Sequence, residues 1–114
     1  RQLILNSLIF LEEHYQEPVT VKEMAGASSL SESYFRGVFK EVMGLSPLDY
    51  LNRIRIAKSL EYLQNDDISI TEAALRVGIS DSNYFTRIFK KIMGQTPRAF
   101  KNNPSVALAR PETN

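Results

Sequence analysis

Asn83 and Arg87 stand four residues apart, with Ser82 and Thr86 beside them. On a helix this spacing gathers all four onto one face. The carboxamide of an asparagine can pair at two points with the major-groove edge of adenine, and an arginine fork with that of guanine. Cationic charge gathers in the same stretch. Residues 79–101 carry Arg87, Lys90, Lys91, Arg98 and Lys101 against Asp81, a net +4 in a chain whose total is +1. Residues 1–30 and 66–78 each sum to −2. A basic stretch of this kind suits a polyanion, docks on an acidic protein partner, or is a solvated face. Salt-sensitive, duplex-specific binding separates the first reading from the second.

Other reactive constellations are poor. His14 is the sole histidine and falls where an opening helix ends, a place a cation suits through the helix dipole. Asp66-Asp67 are adjacent carboxylates at another helix end and read as a solvated turn. The chain holds no cysteine, so a thiol nucleophile, a disulfide framework and a cysteine zinc site are excluded. No phosphate-cradling glycine loop or metal-ligand spacing appears. The sequence therefore predicts no enzyme, no cofactor and no metal.

Stepping outward, 114 residues suffice for one domain or for two small subdomains sharing a helix. Hydrophobic residues at 43% and charged residues at 24% are ordinary for a globular chain. No apolar run approaches the roughly 18 residues of a membrane span. The opening Arg1-Gln2-Leu3-Ile4 is neither a signal peptide nor an initiator methionine, and it reads as the start of a fragment.

The elements that would position the readers come from an internal repeat. Tyr34, Phe35, Phe39, Lys40, Met43, Gly44 and Pro47 recur as Tyr84, Phe85, Phe89, Lys90, Met93, Gly94 and Pro97, all 50 residues on. Upstream, Thr20-Val21-Lys22-Glu23 parallels Ser69-Ile70-Thr71-Glu72 at a spacing of 49, so one residue has been gained in the turn between the blocks. Each copy spells helix–turn–helix. Thr20/Glu23 and Ser69/Glu72 have capping-box spacing for short helices near 21–27 and 70–77. After a polar break, Ser31 and Ser80 are placed to cap helices near 32–43 and 81–93. Those carry an apolar stripe, Tyr34, Phe35, Val38, Phe39 and Val42, repeated as Tyr84, Phe85, Ile88, Phe89 and Ile92, and its aromatics are assigned to the core. Gly44 and Gly94 end the helices, and Ser46-Pro47 and Thr96-Pro97 restart new ones.

Between the copies, residues 47–65 read as one long helix with Leu48, Leu51, Ile54, Ala57 and Leu60 inward. Residues 2–15 read as an amphipathic opening helix on Leu3, Leu5, Leu8, Ile9 and Leu11, and residues 97–102 as a short closing one. The expectation is an all-α fold of seven helices. Its subdomains are a first helix-turn-helix unit over 1–46, a connecting helix over 47–65, a second unit over 66–102, and a flexible tail over 103–114. Two recognition helices on a rigid connector would face adjacent major-groove segments roughly 34 Å apart.

The repeat, the run from Ala74 to Pro97 and the preceding Arg53-Ile54-Arg55-Ile56-Ala57-Lys58-Ser59-Leu60 resemble the AraC/XylS family of bacterial transcription regulators over about residues 2–101. The resemblance implies a two-lobed DNA-binding domain, usually C-terminal to an effector-binding or receiver domain. It places base readers at Ser33, Arg36 and Gly37 in the first unit, and at Ser82, Asn83, Thr86 and Arg87 in the second. It places phosphate contacts at Ser31, Thr96, Arg98 and Lys101, to which we add Lys40 and Lys90 as the basic residues of the repeated Phe-Lys pair. Many members carry an arginine where this chain has Gly37; Arg36 sits one residue earlier, turned about 100° away on a helix. The expected partners are double-stranded DNA through its major groove, RNA polymerase if the regulator is an activator, and an N-terminal effector or receiver domain outside this chain. No membrane partner is expected, and the expected location is cytoplasmic.

Overall fold

The computed structural model describes residues 2–103, so the tail expected over 103–114 lies almost wholly outside the described residues. Among those described there are seven α-helices and no strand: α1 (Leu5–His14), α2 (Val21–Ala27), α3 (Glu32–Met43), α4 (Pro47–Leu63), α5 (Ile70–Arg76), α6 (Ser82–Met93) and α7 (Pro97–Asn102). They form two compact units that divide between Arg55 and Ile56, inside α4.

Side-chain caps start every helix after α1, which opens without one. Thr20 and Glu23 form the reciprocal capping box of α2, with N···O distances of 2.9 and 3.1 Å. Ser69 caps α5 at 3.0 Å from the Glu72 amide, while Glu72 gives its carboxylate to Arg76. Ser31, Ser46 and Thr96 cap α3, α4 and α7 through the amides of Tyr34, Asp49 and Ala99. Gly44 and Gly94 end α3 and α6 with φ of 77° and 80°.

The cap of α6 differs from the expectation. Asp81, not Ser80, accepts from the amides of Asn83 and Tyr84 at 3.0 and 3.1 Å. The turn hydrogen bonds explain why. Leu30 N–H donates to the Ala25 carbonyl in the first unit, and Ile79 N–H to that of Ala74 in the second, still at an offset of 49. The caps Ser31 and Asp81 are already at 50, so Ser80 is the extra residue. Ser29 and Gly78 are equivalents in this turn, and both have positive φ, +58° and +95°. That conformation is free of steric cost for glycine and strained for serine.

The first unit closes over Ile4, Leu8, Leu11, Met24, Ala25, Phe35, Phe39, Leu51 and Ile54. Phe39 touches Phe35 and Tyr50 with centroids 5.4 and 5.5 Å apart. The buried side of this segment is therefore Ile4, in the 3-10 turn that precedes α1, with Leu8 and Leu11 of α1, and the expected Leu3, Leu5 and Ile9 face outward. Ser7 joins the buried side because its hydroxyl reaches the Met24 carbonyl and the Ser28 hydroxyl, each at 2.6 Å. Buried Arg55 donates to the carbonyls of Tyr15 and Glu17 at 2.7 and 2.8 Å, tying the segment after α1 to α4. The second unit buries Ile68, Ala73, Ala74, Val77, Ile79, Phe85, Phe89 and Phe100. Phe89 lies between Phe85 and Phe100, at 5.7 and 5.9 Å.

α4 departs from its expected single stripe. Leu51 and Ile54 enter the first core, whereas Ile56, Ser59 and Leu63 are buried in the second unit. Leu48 and Ala57 are exposed, and Leu60 is half-buried. Two further residues leave the expected core: Tyr34 is 54% exposed and Val42 40%. Tyr84 is half-buried. No helix among the described residues is long and apolar enough to cross a membrane.

Candidate nucleic-acid interface

α6 is held by its apolar side, where Phe85 and Phe89 are fully buried. Its cap fixes where the first turn begins, so the opposite side is presented in a defined register. On that side Asn83 and Arg87 are exposed, and Ser82 and Thr86 are half-buried. The Arg87 guanidinium stands 5.5 Å from the centroid of the Tyr84 ring, within cation–π range, which confines a long side chain to the helix surface. Lys90 and Lys91 in the last turn, and Arg98 on α7, are exposed. The result is a face of hydrogen-bond donors surrounded by cations.

α3 is anchored the same way through Phe35 and Phe39. Ser33, Arg36, Gly37 and Lys40 all lie exposed. Arg36 is engaged within its own helix: its Nη2 and Nε stand 2.9 and 3.2 Å from Oε2 of Glu32. A β-carbon built on Gly37 would meet nothing within 4 Å. A shallow depression lies there, lined by Ser33, Tyr34, Gly37, Val38, Lys40 and Glu41.

The residues expected near phosphates fall into two groups. Ser31 and Thr96 each accept one capping N–H on the hydroxyl oxygen, which leaves the hydroxyl proton to donate. Lys40, Lys90 and Arg98 point into solvent. Lys101 is different, because its ammonium donates to the carbonyls of Leu63 and Asn65 at 3.3 and 2.8 Å, sealing the C-terminal end of α4. His14 Nδ1 lies 3.0 Å from Glu17 Oε2 and its ring stacks on Phe10 at 4.6 Å. Asp66 and Asp67 are exposed in the turn after α4.

Sequence reasoning passed over Tyr34 by grouping it with the core aromatics. The available signal was the repeat itself: Tyr34 and Tyr84 are equivalent, but the residue three positions on is glycine in one copy and arginine in the other.

Two capped helix-turn-helix units in tandem define a class of proteins, and comparison with known proteins places the chain within it. A family model described as a helix-turn-helix domain matches residues 24–103. The HTH-type transcriptional activator RhaS of Klebsiella pneumoniae is 39% identical over 80 residues, which are 69% of this chain and 29% of that protein. The chain thus spans less than a third of the length of the curated relatives it matches. Among solved structures, the C-terminal domain of the two-component response regulator yesN from Fusobacterium nucleatum is 30% identical with a TM-score of 0.76, covering 83% of this chain and 93% of that one. The DNA-binding domain of AdpA, solved with a target DNA, shares the fold at a TM-score of 0.81 and 23% identity, over 90% of this chain and 93% of its own. The chain belongs to the AraC-type helix-turn-helix family.

Proposed function

We propose that this chain is the DNA-binding part of a bacterial transcription regulator and reads two segments of the major groove through α3 and α6. The observation that carries this reading is the outer face of α6. It sets Asn83 and Arg87 in solvent directly across from a buried Phe85–Phe89 anchor, with Lys90, Lys91 and Arg98 beside them. A helix lying in the major groove presents its N-terminal residues to base edges, and cations at its flanks neutralise phosphates. We assign base contacts to Ser33, Arg36, Gly37, Ser82, Asn83, Thr86 and Arg87, and phosphate contacts to Ser31, Lys40, Lys90, Thr96, Arg98 and, with its remaining N–H, Lys101.

The similarity to RhaS, a transcriptional activator, supports activation as the output, with RNA polymerase as a partner. Similarity to the C-terminal domain of yesN, a two-component response regulator, supports an effector or receiver domain on the N-terminal side of this chain. The working location of such a regulator is the cytoplasm, on the nucleoid.

Selection of bound duplexes from a random pool tests the proposal. It should return a site with two short constrained blocks. Affinity for that site should fall steeply with salt, and exceed affinity for random duplex by about a thousandfold or more. Enrichment of no common sequence would overturn the reading, as would a preference for an acidic protein over duplex DNA.

A further inference from the structure

The two recognition helices solve the same position in opposite ways. In α6, Arg87 reaches over the ring of Tyr84, which is half-buried. In α3 the equivalent of Arg87 is Gly37, and Tyr34, the equivalent of Tyr84, is left 54% exposed. The neighbouring arginine does not fill the gap, because Glu32 holds the guanidinium of Arg36. What remains is the depression at Gly37, lined by Ser33, Tyr34, Gly37, Val38, Lys40 and Glu41.

The geometry points to this depression as a specificity element that seats the C5 methyl of a thymine against the Tyr34 ring. The inference rests on the DNA-binding reading above and deepens it at α3. Of the groups that base pairs display in the major groove, the thymine methyl is the apolar one; the others are hydrogen-bond donors and acceptors. An arginine at residue 37 would cover the ring and demand an acceptor such as guanine. Glycine removes that demand, lets the helix approach the groove floor closely, and leaves the Tyr34 ring open as an apolar surface against which a methyl can pack. The depression includes Ser33, Tyr34 and Gly37, in the N-terminal half of α3, which is the half a recognition helix turns to the bases. Tyr34 therefore acts as a reader rather than as part of the core.

The test uses the duplex selected by this chain from a random pool. Each thymine is replaced singly by deoxyuridine, which deletes the methyl and keeps every hydrogen-bonding edge, and affinity is read by fluorescence anisotropy at fixed salt. One or two positions within a single block should lose about threefold to fivefold, the worth of one buried methyl-sized group. Tyr34→Ala should bind the thymine duplex more weakly by a similar factor and become indifferent to deoxyuridine at those positions. Gly37→Ala puts a methyl of the protein's own into the space. It should also lose the thymine preference, while its melting temperature equals or exceeds that of the parent, since alanine is the better helix former and its β-carbon meets no neighbour. Tyr34→Phe, which keeps the ring, should still lose affinity when deoxyuridine replaces thymine at those positions. The inference is overturned if no position responds to deoxyuridine, or if the response survives unchanged in both Tyr34→Ala and Gly37→Ala. It is equally overturned if Tyr34→Phe is as indifferent to deoxyuridine as Tyr34→Ala, which would assign the effect to the hydroxyl. Failure of the selection to yield any preferred duplex would instead remove the DNA-binding reading itself.

Discussion

The Lys101 ammonium stands 2.8 Å from the Asn65 carbonyl oxygen, across 36 residues of chain, and 3.3 Å from that of Leu63. Leu63 ends α4, and its carbonyl, without a partner inside the helix and carrying partial negative charge, is satisfied by a cation. The Asn65 carbonyl, in the turn beyond, also accepts from the Ile68 amide at 3.1 Å. The same ammonium therefore keeps one N–H for the cationic face on which charge counting places it. Lys101→Ala should cost about 0.5–1.5 kcal/mol of stability, the usual net worth of an intramolecular hydrogen bond, since the shorter of its two contacts is exposed to solvent. Thermal melting followed by circular dichroism checks this.

Salt dependence separates that role from phosphate binding. Each neutralised phosphate contributes about 0.9 to the slope of log affinity against log salt. Lys90→Ala and Arg98→Ala should each reduce the slope by close to one such step. Lys40→Ala should reduce it less, because Arg36 and Lys40 are balanced by Glu32 and Glu41 over residues 31–46. Lys101→Ala should also reduce it less, because two of its three N–H groups are held by carbonyls. A full step lost in Lys101→Ala with an unchanged melting temperature would show that the ammonium serves phosphate alone and adds nothing at the end of α4.

Arg87→Ala should weaken binding to the selected site by about 1–3 kcal/mol, the range for a two-point arginine–guanine pair, with little change on random duplex. Equal losses on both would show that the guanidinium contacts backbone and not bases.

Phe89 has no exposed surface and meets both Phe85 and Phe100. Phe89→Ala should destabilise the second unit by about 3–5 kcal/mol through the cavity it leaves, and DNA binding should fall with folding. An unchanged melting temperature with lost binding would mean that the ring serves the DNA directly.

Ser29 and Gly78 allow a gain to be tested. Serine at a φ of +58° carries strain that its glycine equivalent avoids. Ser29→Gly should raise stability by about 0.5–1 kcal/mol, and Gly78→Ala should lower it by at least about 1 kcal/mol. A lower melting temperature for Ser29→Gly would show that the serine side chain contributes more than its backbone costs.

Helix limits were legible because their signals are local. Gly44, Gly94, Pro47, Pro97 and the caps Thr20, Ser31, Ser69 and Thr96 act within a turn of themselves. Which face of a helix is buried is not local. The opening segment offers two apolar stripes, and Ile4–Leu8–Leu11 is chosen over Leu5–Ile9 by the helices packed against it and by the Ser7–Ser28 hydrogen bond. Ser80 misled because a serine before a helix is a plausible cap, and only the turn hydrogen bonds show that the register changes after Ile79. On the candidate site, sequence placed Asn83 and Arg87 on an exposed face, since burial of Phe85 and Phe89 leaves the other side outward. It missed the confinement of Arg36 by Glu32 and of Lys101 by α4, because such pairings depend on where side-chain tips travel.

α4 is one unbroken run from Pro47 to Leu63, yet its inward side chains serve one core up to Ile54 and another from Ile56. Amide exchange along it should therefore be governed by two opening reactions. Amides whose side chains lie in the first core would exchange when that core opens, and those beyond Ile56 when the second does. The helix becomes a natural recorder of which half is the weaker. A ligand gripping only one half would slow hydrogen–deuterium exchange over its own portion of α4 and leave the rest nearly unchanged.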